Sequence, residues 1–334
     1  MKPYIYPLAA ALLASSFLNG ANPAAAAAVA NPASEKHADY GATIETMAAA
    51  IDRQYPIEAT AHKLAAALRS AAKDPAFLAM DEANFLEAIN TVMWDVAHDL
   101  HLRVRTSAAT EARTKAGGGK AVPRMRRVVR TPGGSGAIGN TSISAEMLNV
   151  NTGLITITSP IYNNVALFTE KLSAVSSAEN IIIDVRACPG GTVPGVQYFT
   201  SQFFGERTHL SSRISRESDV PQKLWTVETE IGDEFADKNI YVLTSKRTAS
   251  GAEALSYALK NTDRATLVGE KTAGAGNAGA YIGVGNGLLM FLPISQTISP
   301  KTGKPWEAKG VVPHIDASAE AALDAALGAI KDKA

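Results

Sequence analysis

Residues 240–260 read IYVLTSKRTASGAEALSYALK, and the change of pattern inside them decides the fold. Ile240 to Leu243 is a short unbroken apolar run, the mark of a strand buried on both faces. Gly251 to Lys260 reads as a helix, so a turn of a few residues carries the chain from strand to helix. The same unit recurs outward. Leu154 to Ile157 is a strand followed by a helix over Val165 to Val175. Ile181 to Val185 is a fully buried strand, followed by a glycine turn and a helix from Gly195 to Phe204. Ala265 to Val268 and Gly287 to Leu292 add further strands. Alternating strands and helices predict an α/β fold with a mostly parallel sheet. Such sheets carry their sites beyond the carboxyl ends of the strands. No fixed-period repeat is present.

Two of the turns hold residues that could do chemistry. In Thr248-Ala249-Ser250-Gly251-Ala252-Glu253 the serine sits at a strand-to-helix turn. A helix N-terminus there offers free N–H groups and positive partial charge, suited to a developing oxyanion. The same residues also spell a capping box, S-x-x-E, in which Ser250 and Glu253 only finish the helix. The second turn is Asp184-Val185-Arg186-Ala187-Cys188-Pro189-Gly190-Gly191. Its paired glycines would let a backbone N–H approach a ligand. It could be an oxyanion arm, a phosphate cradle or simply a tight turn, and it matches neither nucleotide-binding glycine pattern.

The amino-terminal part reads differently. Residues 1–30 have the form of a signal peptide: Lys2, an apolar stretch from Tyr4 to Leu18, then small residues at Ala24 to Ala28. The apolar stretch is shorter than the roughly 20 residues of a membrane span. A periplasmic or secreted protein with no stable span after cleavage is therefore expected. Residues 38–110 are helical in pattern, with Ile44, Met47, Ala48 and Ile51 at i, i+3, i+4, i+7 and Asp81 placed to cap a later helix. They form a small helical domain ending near His98-Asp99-Leu100-His101. Residues 111–140 carry three consecutive glycines, Pro123, Pro132 and seven Lys or Arg. They read as a flexible basic connection, with an anionic-ligand contact as the alternative. Residues 141–330 make up the core.

Composition narrows the classes. The 334 residues are 46% hydrophobic and 19% charged, with formal net charge zero. No global field favours nucleic acid or an anionic membrane. Cys188 is the single cysteine, so an intrachain disulfide is excluded. Six histidines do not suggest metal storage.

Four motifs in order resemble the tail-specific (C-terminal-processing) serine protease superfamily. They are the D-L-R-x-N-x-G-G turn at Asp184 to Gly191, with Cys188 in place of asparagine, and T-A-S-A-x-E at Thr248 to Glu253, with Gly251 in place of alanine. V-G-E-x-T-x-G follows at Val268 to Gly274, and the E-G-x-G-V-x-P-D ending at Glu307 to His314. The resemblance implies a crotonase-like (ClpP-like) spiral core. It also implies Ser250 as nucleophile, with backbone N–H groups of Gly190 or Gly191 and of Gly251 forming the oxyanion hole. Members with a Ser–Lys dyad carry lysine just after T-x-G, where this chain has Ala275. The chain instead resembles the subgroup of the tricorn core protease and the interphotoreceptor retinoid-binding protein. That subgroup begins with a helical domain and takes a histidine from a D-x-H segment, here Asp99-Leu100-His101. It implies His101 as general base, and Glu307 as the group that orients it directly or through a bridging hydroxyl. A peptidase acting on peptides or protein tails is expected, with no cofactor and no metal. The alternatives are a non-catalytic carrier of apolar small molecules on the same fold, and an esterase using the same triad.

Overall fold

The structure is a computed structural model that describes residues 39–108 and 141–333. The leader read at 1–30 and the basic connection at 111–140 lie outside the described residues. Helices α1 (Tyr40–Gln54), α2 (Glu58–Ala71), α3 (Pro75–Leu78) and α4 (Glu82–Ala97) come first, followed by strand β1 (Arg103–Thr106). Asp39 caps α1 and Asp81 caps α4 by accepting backbone N–H bonds from Ala42 and Asn84. After residue 141 come β2 (Ile143–Asn149), β3 (Thr152–Ile157), α5 (Val165–Ser173), β4 (Asn180–Asp184) and α6 (Val193–Ser201). A hairpin of β5 (His209–Ser215) and β6 (Ser218–Trp225) leads through α7 (Gly232–Phe235) to β7 (Asn239–Thr244), α8 (Gly251–Asn261) and β8 (Ala265–Gly269). The chain closes with β9 (Asn277–Gly285), β10 (Leu288–Ile298), β11 (Ile315–Asp316) and α9 (Ala322–Lys331).

The central sheet has the order β11-β8-β7-β4-β3-β2, and every neighbouring pair is parallel except β2 with β3. The expected mostly parallel α/β core is thus present. Its unbroken apolar runs follow from burial on both faces. Ile181 and Ile183 face a cluster with Phe168, Phe199 and Leu255. Ile182, between them, faces Tyr241, Val268 and the Ala322 and Ala326 side of α9.

A second sheet, not anticipated in the sequence reading, is wholly antiparallel. Its order is β1-β10-β5-β6, with β9 also paired to β10. Polar residues dominate β5 and β6, so no apolar run marks them. The helices cover this sheet. Ile44, Met47, Ile51, Leu64, Phe85 and Ile89 share one core with Val104, Val284, Leu288, Met290 and Leu292. Large-to-small changes in such a core cost about 2–5 kcal/mol. Met290→Ala should therefore lower stability by that amount in urea unfolding. Helical circular dichroism and tryptophan fluorescence should still report one coincident transition. A helical signal that survives after the sheet has melted would mean that the two layers fold separately.

Candidate active site

Three loops leave the carboxyl ends of three adjacent parallel strands: the glycine turn after β4, the serine turn after β7, and residues 270–276 after β8. The register of β4, β7 and β8 sets Asp184 opposite Leu243 and Thr244 opposite Gly269, which brings the loops level. Side chains then lock them together. Thr248 Oγ1 donates to Val185 O and Ser245 Oγ to Arg186 O, while Ala249 N donates to Cys188 O. Cys188 is fully buried inside the glycine turn, with its thiol within reach of the carbonyls of Ser159 at 3.2 Å and Gly190 at 3.4 Å. It therefore supplies a hydrogen bond where the motif it resembles carries asparagine. Burial pushes the thiol up to about 11, so it stays protonated and inert.

Ser250 is the N-cap of α8 and has φ 52°, ψ −117°, a conformation that a non-glycine residue holds only when its surroundings impose it. The imposing group is Glu253. Its carboxylate is completely buried and accepts four hydrogen bonds: from Ser250 N at 2.8 Å, Ala275 N at 2.8 Å, Gly274 N at 2.7 Å and Thr272 Oγ1 at 2.5 Å. Burial raises its pKa and the four donors oppose the rise. Half of the capping box read from the sequence is therefore made by Glu253. The Ser250 hydroxyl lies 2.9 Å from His101 Nε2.

His101 reaches the serine because α4 ends in a left-handed residue, His98 at φ 49°. His98 itself stays exposed. The reversal turns Asp99 inward, where its Oδ1 accepts from the backbone N–H of His101 and Leu102, and its Oδ2 from Tyr55 OH and Asn277 Nδ2. Phe291 of β10 stacks on the imidazole at 5.3 Å between ring centres. Burial, with Arg103 nearby, lowers the His101 pKa, against an opposing pull from Asp99.

Glu307 comes from the loop after β10. Its Oε2 accepts from the N–H groups of Gly276 and Asn277, both at 2.6 Å. Burial and the charge of Asp99 push its carboxyl up to about 8. No direct hydrogen bond joins Glu307 to His101. His101 Nδ1 and Glu307 Oε1 are both buried without a partner, and ligand atoms of Asp99, His101 and Glu307 lie within 4.8 Å of one another. Such a trio has the donor types of a cation site. Both Asp99 oxygens and Glu307 Oε2, however, are already taken by hydrogen bonds.

The paired glycines abut the serine turn. A Cβ on Gly190, which has φ 131°, would stand 2.9 Å from Ser250 Cβ. One on Gly251 would stand 2.7 Å from Gly191 N. The N–H groups of Gly190, Gly191 and Gly251 donate to no backbone carbonyl among the described residues. The cavity of about 610 Å³ on which Ser250, His101, Gly191 and Gly251 open is within the usual range of ligand sites. Glu253, Asn277, Tyr55 and Phe291 were not singled out as site residues from sequence. Of these, only Glu253 carried a local signal, its place in the capping box.

Two outcomes follow. Gly251→Ala forces a methyl against Gly191 N, so kcat should fall at least about 10-fold, part of the 100- to 1000-fold worth of an oxyanion donor. The thermal transition should move little; an unchanged kcat would mean that these N–H groups are not used. Glu253→Ala strands four buried donors, so unfolding free energy should drop by roughly 3–5 kcal/mol, as when a buried charge loses its partners. A loss under 1 kcal/mol in urea titration would remove Glu253 as the organiser of the loops.

Comparison with known proteins identifies a family and a fold. Residues 151–317, half of the chain, match the model of peptidase family S41. A carboxy-terminal-processing protease of Bartonella bacilliformis (strain ATCC 35685 / KC583 / Herrer 020/F12,63) is 27% identical over 134 residues, 40% of this chain and 30% of the relative. The match thus spans less than a third of the curated relatives' length. Among solved structures, a photosystem II D1 C-terminal processing protease aligns with TM-score 0.52 at 15% identity, covering 84% of this chain and 94% of its own. A lipoprotein from Streptococcus agalactiae aligns with TM-score 0.59 at 12% identity, covering 88% and 96%. At these identities the structural likeness is one of fold. The family match, the order of the three strand-end loops and the shared architecture make this chain a member of peptidase family S41.

Proposed function

We propose that this chain is a serine peptidase that hydrolyses peptides or protein tails through an acyl-enzyme at Ser250, with His101 as general base. The observation that carries the reading is the 2.9 Å approach of His101 Nε2 to the hydroxyl of a serine held in a strained turn. In the first step Nε2 takes the hydroxyl proton as Oγ bonds to the scissile carbonyl carbon. The carbonyl oxygen gains the negative charge and meets the N–H groups of Gly251 and of Gly190 or Gly191. The imidazolium then gives its proton to the leaving amine as the C–N bond breaks. Water repeats the sequence to release the acid.

Glu307 is assigned the third role through its charge rather than a direct hydrogen bond. Within 4.8 Å and at an effective dielectric of about 20, a carboxylate favours an imidazolium by at least about 3 kcal/mol. Asp99 adds to that field and holds the loop that presents the imidazole. Ala275 occupies the place of a dyad lysine, which supports histidine as the base. Three arginines line the cleft, so an apolar carrier is the less supported reading. The apolar leader from Tyr4 to Leu18 supports delivery of the peptidase to the periplasm or the cell exterior.

Ser250→Ala should abolish peptide hydrolysis and labelling by a fluorophosphonate while the folded state survives. His101→Ala should cost at least about 1000-fold in kcat, and His98→Ala less than about twofold. Turnover by Ser250→Ala at the parent rate would end the proposal.

The pH profile separates the acid and base roles. His101 must be neutral to accept a proton, and its pKa is lowered, so the acid limb of kcat/KM should fall below the ordinary imidazole value of about 6.5. Glu307 loses its proton as pH rises through about 8, gaining the charge that favours the imidazolium. A second rise in kcat/KM is expected there, and Glu307→Gln should remove it. A rise that persists in that variant would belong to another group.

A further inference from the structure

The cavity over Ser250 has a second wall, and that wall belongs to the antiparallel sheet. β5 sends Ser211 and Arg213, two residues apart, to one face. Arg213 is registered against Thr297 of β10, and Ser211 against Leu224 of β6; all four line the cavity. β1 sends Arg103 and Arg105 to the same space. The lining among the described residues thus contains three arginines and His101, and no aspartate or glutamate.

Arg213 is unlike Arg186 and Arg264. Arg186 is paired with Asp184, and Arg264 donates to the carbonyls of Phe203, Lys238 and Phe235. The Arg213 side chain has neither an ion pair nor a hydrogen bond to any described residue, and its Nε is buried without a partner. Burial is the one influence on its titration, and it acts against the charge. A guanidinium nonetheless stays charged in proteins. A half-buried cation with an unpaired, inaccessible donor is costly, and it is kept where something else supplies the anion. Its planar fork fits a carboxylate through two parallel N–H bonds.

We propose that Arg213 anchors a carboxylate of the peptide bound at Ser250, which makes this site selective for peptides that place a negative charge against β5. The proposal rests on the reading of Ser250 as a peptidase nucleophile. The carboxylate is either the α-carboxylate at the end of the peptide or the side chain of an aspartate or glutamate near the cleaved bond. Arg103 and Arg105 add positive charge to the same low-dielectric cleft and draw such peptides in.

Two pairs of fluorogenic peptides test this. One pair differs only in a free or amidated carboxyl end. The other, amidated throughout, differs only in an internal glutamate or glutamine. In the unaltered protein kcat/KM should favour the charged member of one pair by about 10- to 100-fold, the worth of a charge-assisted hydrogen bond. The favoured pair identifies the source of the carboxylate. Arg213→Gln should bring that ratio to within about threefold of one, and Arg213→Lys should leave it intermediate. Equal rates within both pairs in the unaltered protein, or a ratio that survives Arg213→Gln, would overturn the proposal. Fluorophosphonate labelling distinguishes this failure from that of the peptidase reading. Labelled Ser250 without charge preference sinks only the carboxylate anchor; an unaltered protein that neither labels nor cleaves sinks both. Should Arg213→Gln fail to fold, tetra-alanine acid and tetra-alanine amide can compete with the probe in the unaltered protein. Protection by the acid at a concentration at least 10-fold lower, or by aspartyl over asparaginyl amide, supports the anchor. Equal protection within both pairs overturns it.

Discussion

The buried carboxylate of Glu253 is the interaction on which the site depends. It is fully inaccessible, yet it accepts four hydrogen bonds from residues of two different loops. A carboxylate taken out of water costs several kcal/mol unless donors replace its hydration. Here the replacement is complete, and it does structural work in three directions. The bond from Ser250 N holds the serine at its positive φ. The bonds from Gly274 and Ala275 fix the loop after β8 against the serine turn. Thr272 Oγ1, which donates to the carboxylate, also accepts from Val311 N, so the segment after Glu307 is tied to the same point. The geometry of Ser250 is thus set by a residue that never faces the cleft.

Charge is sorted around the imidazole. Asp99 and Glu307 stand behind His101, and the arginines stand in front of it on the cleft wall. Burial first, and then the charge of Asp99, make Glu307 hold its proton well above the usual carboxylate range. The antiparallel sheet makes the sorting possible. It carries Phe291 to the imidazole face and Arg103 and Arg213 to the open side, and the helical layer behind it buries its other face on Met290 and Leu292.

The sequence by itself determined the central sheet and its site-bearing turns. Ile181 to Val185 and Ile240 to Leu243 are apolar throughout, because a parallel strand covered on both sides has no polar position. The glycines after β4 and the S-x-x-E after β7 were legible because tight turns and helix starts demand particular residues locally. The D-x-H at Asp99 to His101 was legible only through resemblance, since nothing local marks a histidine as a base. Only the tertiary structure decided what meets across distance. His101 and Ser250 are 149 residues apart, and they touch because β1 pairs with β10 while α4 reverses at His98. Glu307 sits near His101 without touching it, and a Cβ on Gly251 would press on Gly191 N. Tyr55, Asn277 and Arg213 left no trace in the sequence. They are single polar residues with no local pattern around them, and their surroundings exist only once the chain has folded.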